Sequence, residues 1–175
     1  MMRGTKVDTV GRNWLAEKKK PETDLDDKTL EGVAWYYDHV MEVSKGHPVF
    51  TRKGDCRVPM HSNGIRIGGE VDVIVPDVSY IGDMKTGGVY DYDLQVACYA
   101  VGAMDKFNTH EYTCELLFVD KQIITTRTFT RDQAQAAVDI VVLATTASVK
   151  KPSVCNYCSW CRHNKDNKCE LCTGD

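Results

Sequence analysis

Gly69-Glu70-Val71-Asp72-Val73-Ile74-Val75-Pro76, followed by Tyr80-Ile81-Gly82-Asp83-Met84-Lys85-Thr86-Gly87, decides how this chain is read. Alternation from Ile65 to Val75 predicts one strand, Pro76-Asp77 turns it, and Val78 to Lys85 predicts a second. Side chains two apart on a strand share a face, so Asp83 and Lys85 point the same way. If the two strands are adjacent and antiparallel, Asp72 converges on that pair. Neighbouring carboxylates repel unless a cation sits between them, and oxygen-only ligands suit Mg²⁺ or Mn²⁺. A lysine beside them can orient or deprotonate a water, or hold negative charge on a phosphoryl oxygen. Phosphodiester hydrolysis needs that equipment. Surface strands also end in Asp and Lys simply because they reach solvent. The catalytic reading gains from a Gly-rich strand with an internal Asp and from a helix just beyond.

That helix is predicted over about Tyr92 to Lys106, with Leu94, Cys98 and Val101 on its apolar side. It carries Gln95 and Tyr99 at i, i+4, hence on one face, where they can organise the site or touch a nucleic-acid backbone. Working outward, Asp8-Thr9-Val10-Gly11 opens a short predicted helix through Glu17 that Pro21 ends. Leu30, Ala34, Tyr37 and Met41 mark the apolar stripe of another, with Glu31, Asp38 and Glu42 opposite and Gly46-His47-Pro48 as its stop. Val49 to Val58 is a weak strand candidate, and His61-Ser62-Asn63-Gly64 reads as a turn. Tyr112 to Val119 and Ile123 to Phe129 form a predicted hairpin. Thr130 caps a last helix with Ala134, Ala137, Val138, Val141 and Val142 inward. The order is that of an α/β layer protein.

The 175 residues, 42% hydrophobic and 27% charged, suit one globular domain with a real core. No apolar run approaches the roughly 20 residues a bilayer requires. The N-terminal stretch lacks the apolar centre of a secretory signal, so a reducing, cytoplasmic compartment is expected. A net charge of -3 does not by itself favour nucleic acid. Cysteine is the uneven residue: five of 8 (Cys155, Cys158, Cys161, Cys169 and Cys172) stand after Lys150-Lys151-Pro152. Thiolates with two residues between them grip one metal ion from a tight turn and a second such pair completes a tetrahedron. Cys155, Cys158, Cys169 and Cys172 can form a zinc knuckle, and thiolates equally suit an iron–sulfur cluster. Cys98 and Cys114 are assigned to the core. Lys150, Lys151, Arg162, His163, Lys165 and Lys168, interleaved with Tyr157 and Trp160, suit a single-stranded nucleic-acid path.

The ordered set Gly69-x-x-Asp72, Asp83-x-Lys85, Gln95-x-x-x-Tyr99 and a C-terminal cysteine cluster resembles the RecB-like branch of the PD-(D/E)XK nucleases. Small single-domain members, the phage exonucleases and CRISPR-adaptation nucleases, look most similar. The resemblance covers about residues 65 to 172. It implies a restriction-endonuclease-like fold, a central mixed β-sheet flanked by helices, with a nuclease core over 1–150 and a small metal-cysteine tail over 151–175. It implies a Mg²⁺/Mn²⁺-dependent deoxyribonuclease in which Asp72 and Asp83 hold metal, Lys85 is the catalytic lysine, and Gln95 and Tyr99 organise the site. An acidic residue from an N-terminal helix usually joins them; Glu31 is favoured here, with Glu17 and Glu42 as alternatives and His39 nearby. A [4Fe-4S] cluster is common in such nucleases. Its usual cysteine ahead of the core is missing here, which keeps zinc and iron–sulfur both open. The expected partner is DNA, single-stranded or end-containing, and the expected mode exonucleolytic. A structure- or sequence-specific endonuclease, or a catalytically silent zinc-stapled binding module, are the alternatives.

Overall fold

Asn63 and Gly64 both adopt positive φ, 48° and 76°, the backbone of a two-residue turn whose twist suits a β-hairpin. They join β1 (Arg57–Ser62) to β2 (Ile65–Glu70) in a two-stranded antiparallel sheet. The structure, a computed structural model, describes residues 3–146. The cysteine tail at 151–175 therefore lies outside the described residues.

The single strand expected over Ile65–Val75 is divided. β2 pairs with β1, whereas β3 (Val73–Val75) pairs antiparallel with β4 (Tyr80–Lys85), Val73 opposite Gly82. Between them Val71 donates its backbone N–H to Cys56 O at 3.2 Å, and Asp72 belongs to neither ladder. The chain passes from one sheet to the other at Asp72. Of the strand candidate over Val49–Val58 only Arg57 and Val58 join a strand, and ahead of them one bridge forms between Phe50 and Ile74. Gly54 and its polar neighbours turn there instead.

β4 continues into a four-stranded mixed sheet of order β3-β4-β5-β6, with β5 at Glu111–Phe118 and β6 at Ile123–Thr130. β4 and β5 are parallel, and β5 and β6 form the expected hairpin. A parallel neighbour needs a crossover, supplied by α3 (Asp93–Phe107). One face of the sheet (Ile74, Ile81, Cys114, Leu116, Phe118) packs on α3 and on α4 (Arg131–Thr146). The other (Val73, Val75, Tyr80, Met84, Leu117) packs on α1 (Arg3–Glu17) and α2 (Asp27–Ser44). The expected class, α/β with a mixed sheet between helices, is what forms. Met1–Val142 is one compact unit.

The helices depart from expectation in instructive places. α1 starts ahead of Asp8 and ends where Lys18 turns left-handed (φ 52°), before Pro21 is reached. α2 is capped by Asp26, whose side chain accepts from Thr29 N at 2.9 Å. Its buried face is Val33, Tyr36 and Val40, not Leu30, Ala34, Tyr37 and Met41, which are half-buried. α2 carries two adjacent apolar stripes: one meets the sheet, and the other meets α1, where Tyr37 stacks on Trp14 with centroids 5.2 Å apart. On α3, Leu94 is exposed while Val96, Ala97, Cys98 and Val101 fill the core.

Candidate active site

Every second residue of β4 from Ile81 faces α3, so Asp83 and Lys85 project toward that helix. Lys85 Nζ lies 2.5 Å from Asp83 Oδ2 and donates to Gln95 Oε1 at 3.2 Å. Gln95 Nε2 in turn donates to Tyr99 Oη at 2.7 Å. The Tyr92 ring closes the other side, its centroid 4.4 Å from Lys85 Nζ. One chain of contacts thus runs Asp83–Lys85–Gln95–Tyr99. Asp83 Oδ2 is buried, and the Lys85 ammonium is its charge partner.

Asp72 enters from the gap between the two sheets. Its Oδ2 accepts the Met84 backbone N–H at 2.6 Å and its Oδ1 accepts Arg12 Nη2 at 2.7 Å. Gly69 sets the distance between β2 and α3: a Cβ there would stand 2.6 Å from Tyr99 Cε1. Gly11 does the same for α1, where a Cβ would meet Met84 Cε at 2.3 Å. These close approaches let α1 and α3 bring polar side chains to the two carboxylates.

Burial raises the pKa of Asp72 well above the ordinary carboxylate value, and the charges of Asp83 and Asp8 add to the rise. Burial likewise raises Asp83, partly offset by Lys85. Burial alone would lower Lys85, but Asp83 outweighs it and holds the ammonium above its usual value. Arg12 behaves alike: burial is overcome by Asp72 and Asp8. Two buried carboxylates that resist ionisation, faced by cations that resist neutralisation, make a strongly polarised cleft.

The acidic residue expected from an N-terminal helix is not brought here as Glu31. Glu31 is exposed on α2 beside Trp35, His39, Glu42 and Gln122, because that face of α2 turns away from both the sheet and α1. Glu17 is exposed at the end of α1. His39 is engaged elsewhere, with Nε2 2.6 Å from Glu115 Oε2. The acid that reaches the group is Asp8, through Arg12: Arg12 Nε donates to Asp8 Oδ1 at 2.7 Å and Nη1 to Glu70 Oε1 at 3.2 Å. Asp8, Arg12, Glu70 and Tyr92 were not singled out by sequence reasoning. The opposite charges of Asp8 and Arg12 at i, i+4 on α1 were the available signal.

Asp72, Asp83, Lys85, Gln95 and Tyr99 are therefore gathered in one place. Two neighbouring carboxylates are hard oxygen donors of the kind Mg²⁺ or Mn²⁺ takes, while both Asp72 oxygens are here occupied by Arg12 and the Met84 N–H. Among the described residues no cluster of three or more His, Cys, Asp or Glu side chains is close enough to enclose a metal on its own. No protein-family model matches the chain, and no curated protein matches it in sequence. Among the described residues no helix is long and apolar enough to cross a membrane.

Proposed function

We propose that this protein is a metal-dependent DNA nuclease, hydrolysing phosphodiester bonds at ends or in single strands. The observation that carries the reading is the convergence of Asp72 with the Asp83–Lys85 pair, backed by Gln95 and Tyr99. Asp72 and Asp83 would hold Mg²⁺ or Mn²⁺, which supplies Lewis acidity and activates water when bound. Lys85, kept protonated by Asp83, stabilises negative charge developing on the phosphate rather than acting as a base. Gln95 fixes the Lys85 ammonium, and Tyr99 fixes Gln95. Arg12 holds Asp72 in place from behind through its second contacts to Asp8 and Glu70.

Asp83→Ala and Lys85→Ala should each lower Mn²⁺-dependent cleavage of labelled single-stranded DNA by at least 10²-fold. Wild-type cleavage by both would refute the assignment. Closed circular DNA separates an endonuclease of the same fold from an exonuclease. The hold of Arg12 on Asp72 favours one second reading, a catalytically silent nucleic-acid-binding module. Binding without cutting would establish it. For the cysteines at 155–172 we propose a structural [4Fe-4S] cluster or zinc site in a reducing compartment. Visible absorbance and metal analysis of fresh protein distinguish the two.

A further inference from the structure

Beside Lys85 runs a groove of about 670 Å³ whose walls include Met60, Ile67, Gly69, Tyr92 and Tyr99. Among the described residues its lining holds no lysine or arginine; it carries Asp91 and Asp93, the latter paired with Arg127 at 3.0 Å. Such a surface, mostly apolar and aromatic, suits a neutral, flat group better than a phosphate. Tyr92 borders both the groove and the Lys85 ammonium. Tyr90, 62% exposed, meets Tyr92 edge-on at 6.5 Å. Val89 and Leu94 are exposed beside them, so the strand-to-helix loop presents an apolar, aromatic lip at the reacting end of β4.

The other side of Gly68 has the opposite character. There a depression of about 530 Å³ is lined by Gly54, Arg57, Pro59, Arg66 and Gly68. The β1–β2 register places Arg57, Pro59 and His61 opposite Glu70, Gly68 and Arg66 on the outer face of the hairpin. Arg57 and Arg66 are exposed there, and neither guanidinium has an ion-pair partner among the described residues. Gly68 lines both hollows. A cationic depression at Arg57 and Arg66 and an aromatic slot lined by Tyr92 and Tyr99 thus meet at one glycine, Gly68.

We infer that the core binds a single nucleic-acid strand with an unpaired base stacked on Tyr92 in this groove and the adjoining phosphates on Arg57 and Arg66. Charge complementarity selects the occupant: a polyanion whose neutral rings can leave its charged backbone. A base inside a duplex is stacked on both faces and paired at its edge, so it cannot lie on Tyr92 without leaving the helix. Gln95, the amide in the wall, is held in place by Lys85 and Tyr99, and stacking on Tyr92 needs no contact with a base edge. Binding is therefore independent of sequence, as face-to-face stacking allows. The inference rests on the nuclease reading only for where the scissile phosphate would lie.

The test is fluorescence anisotropy of the 175-residue protein with no Mg²⁺ or Mn²⁺ added, where cleavage is blocked and metal on the tail cysteines is left in place, with labelled oligo(dT), oligo(dA) and blunt duplex. Oligo(dT) and oligo(dA) should bind alike, and at least tenfold more tightly than duplex. Tyr92→Leu, which keeps the wall apolar but removes the ring, should weaken single-strand binding about tenfold and leave duplex binding unchanged. Arg66→Ala, an exposed change, should weaken binding and lower the salt slope by about 0.7. Duplex bound as tightly as single strands, or unchanged affinity in both variants, overturns the inference. Tyr92-dependent binding without Mn²⁺-dependent cutting would uphold it while removing the nuclease reading. Cutting with equal affinity for both strand forms would do the reverse.

Discussion

Arg12 on α1 donates to Oδ1 of Asp72 at 2.7 Å, joining a helix near the N-terminus to the point where the chain crosses between its two sheets. Its other nitrogens hold Asp8 and Glu70, so one guanidinium neutralises the acid cluster from the α1 side. A divalent ion and Arg12 then compete to stabilise the same carboxylate.

Arg12→Gln should therefore destabilise the metal-free protein and enlarge the stabilisation that metal provides. Removing one partner of a buried pair costs about 3–5 kcal/mol. The Arg12 and Asp72 side chains retain 14% and 12% exposure, which reduces the expected loss to about 2 kcal/mol. Thermal melts with and without Mn²⁺ provide the check: a lower metal-free Tm and a larger Mn²⁺ shift than wild type. An unchanged Mn²⁺ shift would show that Arg12 and the ion do not share Asp72.

Gly69→Ala should separate the catalytic residues without unfolding the chain. The added methyl conflicts with the Tyr99 ring and also approaches Met60 Cε at 3.1 Å. Overpacking of this kind costs about 1–3 kcal/mol. Displacing Tyr99 loosens Gln95 and then Lys85. Cleavage should fall by about tenfold or more while the melt remains cooperative.

His39 tests whether α2 contributes to chemistry. It pairs with Glu115, which also accepts from Tyr80 Oη and Thr126 Oγ1, both at 3.1 Å. Glu115 would keep those two donors, so His39→Ala should cost about 1 kcal/mol. Turnover per folded molecule should remain at the wild-type level. A specific loss of turnover with unchanged Tm would return α2 to the active site.

The core cysteines should be inert. Burial pushes the Cys56 thiol up to about 12 and raises Cys98 and Cys114 as well, so the reactive thiolate is scarce at pH 8. Peptide mapping after iodoacetamide should find these three unmodified in native protein and modified after denaturation. Native-state labelling of Cys56 would contradict its burial between Phe50 O and Asp72 O.

Local pattern made much of this site legible. The i, i+2 rule brought Asp83 and Lys85 to one face, and the i, i+4 rule did so for Gln95 and Tyr99; both pairs touch in the structure. Antiparallel pairing across Pro76-Asp77 placed Asp72 beside them. Asp8 was visible only as a helix opener, and Glu31 looked as suitable as any acid on an amphipathic helix.

Composition, strand alternation and helical spacing thus determined the α/β class, the strand carrying Asp83 and Lys85 and the helix that supports Lys85, because each depends on neighbours a few residues apart. The division of Ile65–Val75 between two sheets, the choice of α2 stripe and the recruitment of Asp8 and Arg12 were decided only by tertiary structure. Each depends on partners far along the chain: β1 for β2, α1 for α2, and Met84 for Gly11. The energy that selects such partners comes from burial and close approach, which the order of residues does not display.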